Sequence, residues 1–259
     1  MLKDLFHHRY LLRLLVLREI RIRYARAALG VGWALFLPLV MMLVFSVLNF
    51  GRLIPETSPY KGLPYTLFAY CGLLFWTHFA TSLTQATPSL VVAGNLLKKC
   101  SFPHETIPLA KVLSAIFDLA IGAAFLIGLM LWHGSGVGLS LVAIPVVLLL
   151  QLMFTVGLVL LCSAANLFFR DVNYLVQVGV VLAMFATSVV YPVNVGGETA
   201  QTVLGLNPMS AYLNAYREIL LLGRWPSTGL AVGVCGALIS FVTGTLAFRR
   251  LSRRFAEEV

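Results

Sequence analysis

The sequence predicts an all-α membrane protein: six transmembrane helices, an N-terminal interfacial helix, and re-entrant outer half-helices before the last span. Three observations lead there. The 259 residues are 59% hydrophobic and 11% charged, with a mean hydropathy of +0.90, whereas soluble domains carry about 25% charged residues. Two long runs, 62–97 and 119–169, contain no Asp, Glu, Lys or Arg. The basic residues sort to one side once six spans are drawn. So little loop leaves room for a single transmembrane domain, 1–259.

A span needs roughly 20 apolar residues. Spans are expected at about 31–50, 64–92, 106–132, 139–168, 173–192 and 226–249. His133-Gly134-Ser135-Gly136-Val137-Gly138 separates the third from the fourth with the composition of a tight turn. The fifth ends near Tyr191-Pro192. Six spans put both termini on one face, and that face then holds fifteen of the 19 Lys and Arg residues. Only Arg52, Lys61, Arg217 and Arg224 fall opposite. By the positive-inside rule both termini are cytoplasmic, and a five- or seven-span count would split the two basic ends.

Two segments are neither span nor simple loop. Residues 1–26 carry Arg18, Arg21, Arg23 and Arg26 spread around the helical wheel rather than along one stripe. A helix lying at the membrane surface still fits, because arginine stems reach back to the headgroups. Residues 194–224 are too polar and too interrupted by Gly and Pro to span. Half-helices that enter and leave the membrane fit there, if protein or a water-filled cavity covers their backbone groups.

The excess of basic residues flanks apolar runs, so it is a juxtamembrane pattern and not a nucleic-acid surface. No phosphate-binding loop GxxxxGK[ST] occurs; Gly94-Asn95-Leu96-Leu97-Lys98-Lys99 comes nearest and lacks the second glycine. The histidines are scattered, and no metal-ligand cluster emerges. Cys71, Cys100, Cys162 and Cys235 read as reduced, structural residues. Asp118 is the acidic residue set deep in a span. It reads as a packing contact, an ion pair with Lys111 seven residues earlier, or as a proton-coupling group that lacks a relay partner. Phe68, Phe75 and Phe79 share a helical face. They could line a conduit and stack on sugar rings, or face lipid or a neighbouring helix.

The short charged island 95–108 is the one cytoplasmic loop between long spans with paired lysines. It is too small for a catalytic domain. A chain with no nucleotide loop and no buried ionisable network must borrow its energy source, and the island offers a handle.

Several ordered pieces resemble the membrane subunits of polysaccharide-export ABC transporters, the type-2 exporters of O-antigen, capsule and teichoic acid chains. They are Arg18-Glu19-Ile20-Arg21-Ile22-Arg23-Tyr24 with Leu29-Gly30-Val31-Gly32-Trp33 and Pro38; Leu96-Leu97-Lys98-Lys99 with Phe102-Pro103 and Ile107-Pro108; Asn166 with Arg170-Asp171; and Tyr191-Pro192, Asn207-Pro208 and Tyr216-Arg217. Ala25 and Ala28 depart from the pattern. The resemblance implies a homodimer enclosing a channel, two separate ATP-binding cassette subunits that hold ATP and Mg, and a lipid-linked glycan as cargo in the bacterial inner membrane. It implies no cofactor in this chain and no catalytic residue. Asn95, Leu96, Leu97, Lys98, Lys99, Phe102, Pro103, Arg170 and Asp171 would couple to the ATPase. Tyr191, Pro192, Asn207, Pro208, Tyr212, Tyr216 and Arg217 would form an outer gate, and Arg18, Arg21, Arg23 and Tyr24 would belong to the interfacial helix. Rival readings are a related ABC permease for a drug or lipo-oligosaccharide, a membrane glycosyl transferase, and a gradient-driven carrier that would require Asp118.

Overall fold

Helix is the only regular structure among the described residues, as expected where lipid leaves the backbone no other partner. The computed structural model describes residues 8–25, 27–48, 52, 54, 58–94, 96, 102–134, 138–193 and 197–255. In chain order the helices are α1 (Arg9–Tyr24), α2 (Trp33–Val47), α3 (Tyr65–Ala86), α4 (Ser89–Val92), α5 (Thr106–Trp132), α6 (Ile144–Phe168), α7 (Asp171–Phe185), α8 (Glu198–Leu206), α9 (Pro208–Leu221) and α10 (Leu230–Leu251). Short 3-10 turns at Gly30–Gly32, Leu139–Ala143 and Ser252–Arg254 extend α2, α6 and α10.

Among the described residues, four stretches are long and apolar enough to cross a membrane: Gly30–Val47, Thr106–Trp132, Leu139–Phe168 and Leu230–Leu251. The chain is therefore a multi-pass membrane protein. Two expected spans look different. Helix α3 has 22 residues, but Thr77, His78, Thr81, Ser82, Thr84 and Gln85 dilute its apolar character. It tolerates them because protein, not lipid, surrounds it: α2, α5, α6, α7 and α9 all pack on α3. Helix α7 is apolar but has 15 residues, about 22 Å of rise. It stops at Phe185, and the chain runs on irregularly through Tyr191-Pro192.

The main core lies around α3 and α9, with Phe68, Tyr70, Phe75, Tyr212 and Tyr216 among its buried residues. A second cluster sits at the other end of α6 and α10, around Leu160, Leu167, Phe248 and Phe255. Helices α6 and α10 form the most extensive helix pair. A Cβ at Gly157 would collide with the Ser240 carbonyl, and one at Gly244 with the Gly157 carbonyl. The backbones touch because those positions carry no side chain.

Candidate functional site: the two ends of the bundle

The island, the α6–α7 junction and the C-terminal turn meet at one end. Asn95, Leu97, Lys98 and Lys99 lie outside the described residues. Leu96 donates its N–H to the Ala93 carbonyl at 2.9 Å. Pro103 accepts from both the N–H and the hydroxyl of Thr106, so the island's proline anchors the start of α5. Phe102 packs into the second cluster, its ring 6.2 Å from that of His104. His104 in turn lies 5.8 Å from Phe255. Phe255 is fully buried and also meets Phe168 and Phe248. Burial pushes the His104 imidazole below its ordinary value. Sequence reasoning missed Phe255; the available signal was a large aromatic directly after two arginines just past the last span.

Arg170 and Asp171 are exposed beside this cluster. Asp171 sits in the first turn of α7, where a carboxylate favours the helix dipole. Asn166 accepts from the Asn173 N–H at 3.0 Å and so pins the short turn that presents the pair.

The N-terminal helix is clamped to α5 by charge. Arg23 binds Asp118, Gln85 at 2.5 Å and Ser114 at 3.2 Å. Tyr24 donates to the other Asp118 oxygen; burial and that carboxylate raise its phenol well above the ordinary value. Lys111 pairs with Glu19. This corrects the expected Lys111–Asp118 pair. Because α1 packs along α5, each charge on α5 meets its opposite on α1 rather than on its own helix. Arg18 and Arg21 remain exposed, so the expected interfacial set divides into two outward arginines and two locked residues.

The other end depends on directional hydrogen bonds. Pro208 opens α9 at a position where a missing N–H costs nothing. Asn207 caps it by accepting from the Met209 N–H at 2.9 Å. The same side chain donates to the Ala186 carbonyl and the Thr187 hydroxyl, both at 2.9 Å, tying α9 to the frayed end of α7. Arg217 is fully buried. Its guanidinium donates to the carbonyls of Phe68 at 3.3 Å, Ser188 at 2.6 Å and Val189, and lies 3.8 Å from the Phe68 ring centroid. A Cβ at Gly72 would collide with this guanidinium, so that glycine gives Arg217 its path. Tyr212 donates to the Gly233 carbonyl at 2.5 Å, fixing α9 to α10. Tyr191 donates to the Phe185 carbonyl, and Pro192 is buried.

The aromatic stripe is used inside the chain. Phe68 meets Arg217, Phe75 stacks on Tyr216 at 3.5 Å, and Phe79 lies 5.8 Å from Phe154. All three are buried. Of the two alternatives for these residues, a neighbouring helix occupies the face of Phe68 and Phe75. Phe79 also borders an apolar cleft of about 410 Å³ between α3, α6, α7 and α9, and Phe75 another of about 280 Å³ between α3, α5, α6 and α9.

Among known proteins the chain is similar over its whole length to bacterial permeases. It is 28% identical over 260 residues to an O-antigen export system permease protein RfbA of Klebsiella pneumoniae, covering 99% of this chain and 98% of that one. It is 29% identical over 263 residues to the protein of that name from Myxococcus xanthus, covering 100% and 99%. A second Klebsiella pneumoniae RfbA is 27% identical over 252 residues, covering 96% and 95%. The family profile described as ABC-2 type transporter matches residues 10–221, and the chain belongs to the ABC-2 type transporter family.

Proposed function

We propose that this chain is the channel-forming membrane subunit of an ATP-driven exporter that moves a lipid-linked polysaccharide, O-antigen-like in class, out across the bacterial inner membrane. The observation that carries the reading is the full-length similarity to permeases named for O-antigen export. Two copies enclose the path. Two separate ATP-binding cassette subunits, which hold the ATP and Mg, dock from the cytoplasm.

In this reading both termini are cytoplasmic and six segments cross. Helix α3 crosses inside a protein sheath, and α7 with its irregular extension to Tyr191 completes the fifth crossing. Helix α1 lies at the inner surface. Helices α8 and α9 enter from outside and return, and Asn207, Ser210 and Arg217 cover backbone groups of the irregular segment 186–189 beside them. The docking surface is the island with Arg170 and Asp171. Its floor is the aromatic cluster around Phe255, which joins the island to α6 and α10, so a push on the island reaches both.

The test is purification with the ATPase subunit encoded beside it. Stable co-purification, with ATPase activity changed by this chain, supports the reading. Charge reversal at Lys98 and Lys99 then reduces surface glycan while the complex stays folded. A chain that co-purifies with no ATPase, or whose transport follows an ion gradient and needs Asp118, refutes it. Export of a drug with normal surface glycan on deletion refutes the cargo alone.

A further inference from the structure

The end of the chain that carries α8 and α9 holds a cavity of about 280 Å³ that the gate contacts above do not use. Five separate segments build it: Tyr60 in the loop before α3, Pro192 beyond α7, Leu204 on α8, Asn214 and Glu218 on α9, and Ser227 in the loop before α10. Asn214 and Glu218 are four residues apart on one helix, so both face the same side. The loop before α10 folds back onto the end of α9. Gly223 has φ +62°, a turn that side-chain-bearing residues seldom make. The Arg224 N–H then reaches the Glu218 carbonyl at 2.9 Å, and the Ser227 N–H reaches Glu218 Oε2 at 2.7 Å. That bond orients the carboxylate and does not use Oε1.

The lining selects among ligand classes. Glu218 is the charged side chain among the described lining residues, so a phosphate or another anion would be repelled. A wholly apolar occupant would leave Glu218 and Asn214 without water or partner, at the cost of their desolvation. A neutral polyol meets both constraints and suits the polar groups present. An amide and a carboxylate one helical turn apart can take up adjacent hydroxyl groups, since the amide donates and accepts while the carboxylate accepts. Pro192, Leu204 and Gly205 supply the apolar wall that the C–H face of a pyranose ring needs.

We propose that this cavity binds sugar units of a neutral glycan, one site per copy of the chain. The proposal rests on the exporter reading for its ligand and for its outer position. It adds a holding site: a unit seated there would keep an emerging chain from slipping back between ATP-driven strokes.

The experiment uses the intact permease–ATPase complex in lipid nanodiscs. The probe is the oligosaccharide repeat released by mild acid from the surface glycan of the source strain. Saturation-transfer NMR and a titration read binding, and glycan blots read export. Wild-type complex is expected to bind at millimolar concentration or better. Glu218→Gln is expected to weaken binding about 10-fold while its remaining amide oxygen still accepts from Ser227. Asn214→Ala, which touches no loop contact described above, should do the same, and both should slow export. Wild-type complex that exports glycan yet binds no oligosaccharide overturns the holding site and leaves the exporter reading intact. So does binding that neither substitution weakens. Loss of glycan export from the wild-type complex itself overturns the exporter reading instead.

Discussion

At one end of the bundle, Phe255 is held by three rings and by contact alone; at the opposite end, Arg217 is held by three carbonyl groups in fixed directions. Ring contacts tolerate sliding by a fraction of an ångström, because dispersion changes smoothly with distance. Charge-assisted hydrogen bonds to buried carbonyls do not, because a broken one leaves an orphan group where no water can replace it. The Phe255 end is thus compliant, while the Arg217 end is latched. Evolution has room to retune the first by exchanging apolar side chains, but the second must change as a set.

Breaking the latch should have the largest effect. Arg217→Met strands the carbonyls of Phe68, Ser188 and Val189, and should cost on the order of 3 kcal/mol, read as a lower melting temperature of the purified protein. Arg217→Lys should recover little of it, since one ammonium cannot span three carbonyls as a guanidinium does. Gly72→Ala should act through the same contact. Combined with Arg217→Met it should cost less than the sum of the two. An additive result would separate Gly72 from the latch.

The compliant end should lose less. Phe255→Ala removes a buried ring from a chain end that can partly collapse, so about 2 kcal/mol is expected. Phe255→Leu should restore most of it. The sharper readout is coupling: Phe255→Ala should lower ATPase stimulation by the permease before it lowers yield. Between the two ends, Asp118→Asn removes the charge that Arg23 faces. It should cost about 1–2 kcal/mol, and a double-mutant cycle with Arg23→Gln should give a coupling of about 1 kcal/mol. Zero coupling would mean that α1 is held by packing alone.

The smallest effect is a pH dependence at the compliant end. Burial lowers the His104 value in the folded protein, so the unfolded chain takes up its proton first as pH falls. The stability of this cluster is full above about 6.5, declines below it, and levels off under the folded value. His104→Gln should flatten that slope in a melting series from pH 7.5 to 5.5. An unchanged slope would assign it to another group.

Much of this was readable from residue order. The apolar run 106–132 coincides with α5, the next apolar stretch begins at Leu139, and Asn207-Pro208 marks a helix start by capping chemistry alone. Hydrophobic runs and caps are local signals, so one sequence carries them. Partners were less legible. Asp118 was matched to Lys111, because helical periodicity relates residues on one helix and cannot see a second laid alongside. Phe68 and Phe75 share a face in any helix, but the sequence does not say whether lipid, sugar or another helix covers it. The polar dilution of α3 was likewise silent until its neighbours enclosed it. Phe255 and the Tyr60–Asn214–Glu218–Ser227 cavity are assembled from segments far apart in the chain, where no spacing rule reaches.

The backbone contact between α6 and α10 has a mechanical consequence. Two helices that touch through Gly157, Ser240 and Gly244 cannot slide past each other, because a small axial shift would drive carbonyls into side chains on either flank. The Ser240 hydroxyl, bonded to the Phe154 carbonyl at 2.8 Å, locks the register. The pair is a rigid mast: one foot stands in the Phe255 cluster, and Tyr212 moors its far end to the latch. Load applied at the foot then has to appear at the top as tilt, with Asn207 and Arg217 as the stays that either hold it or let it lean.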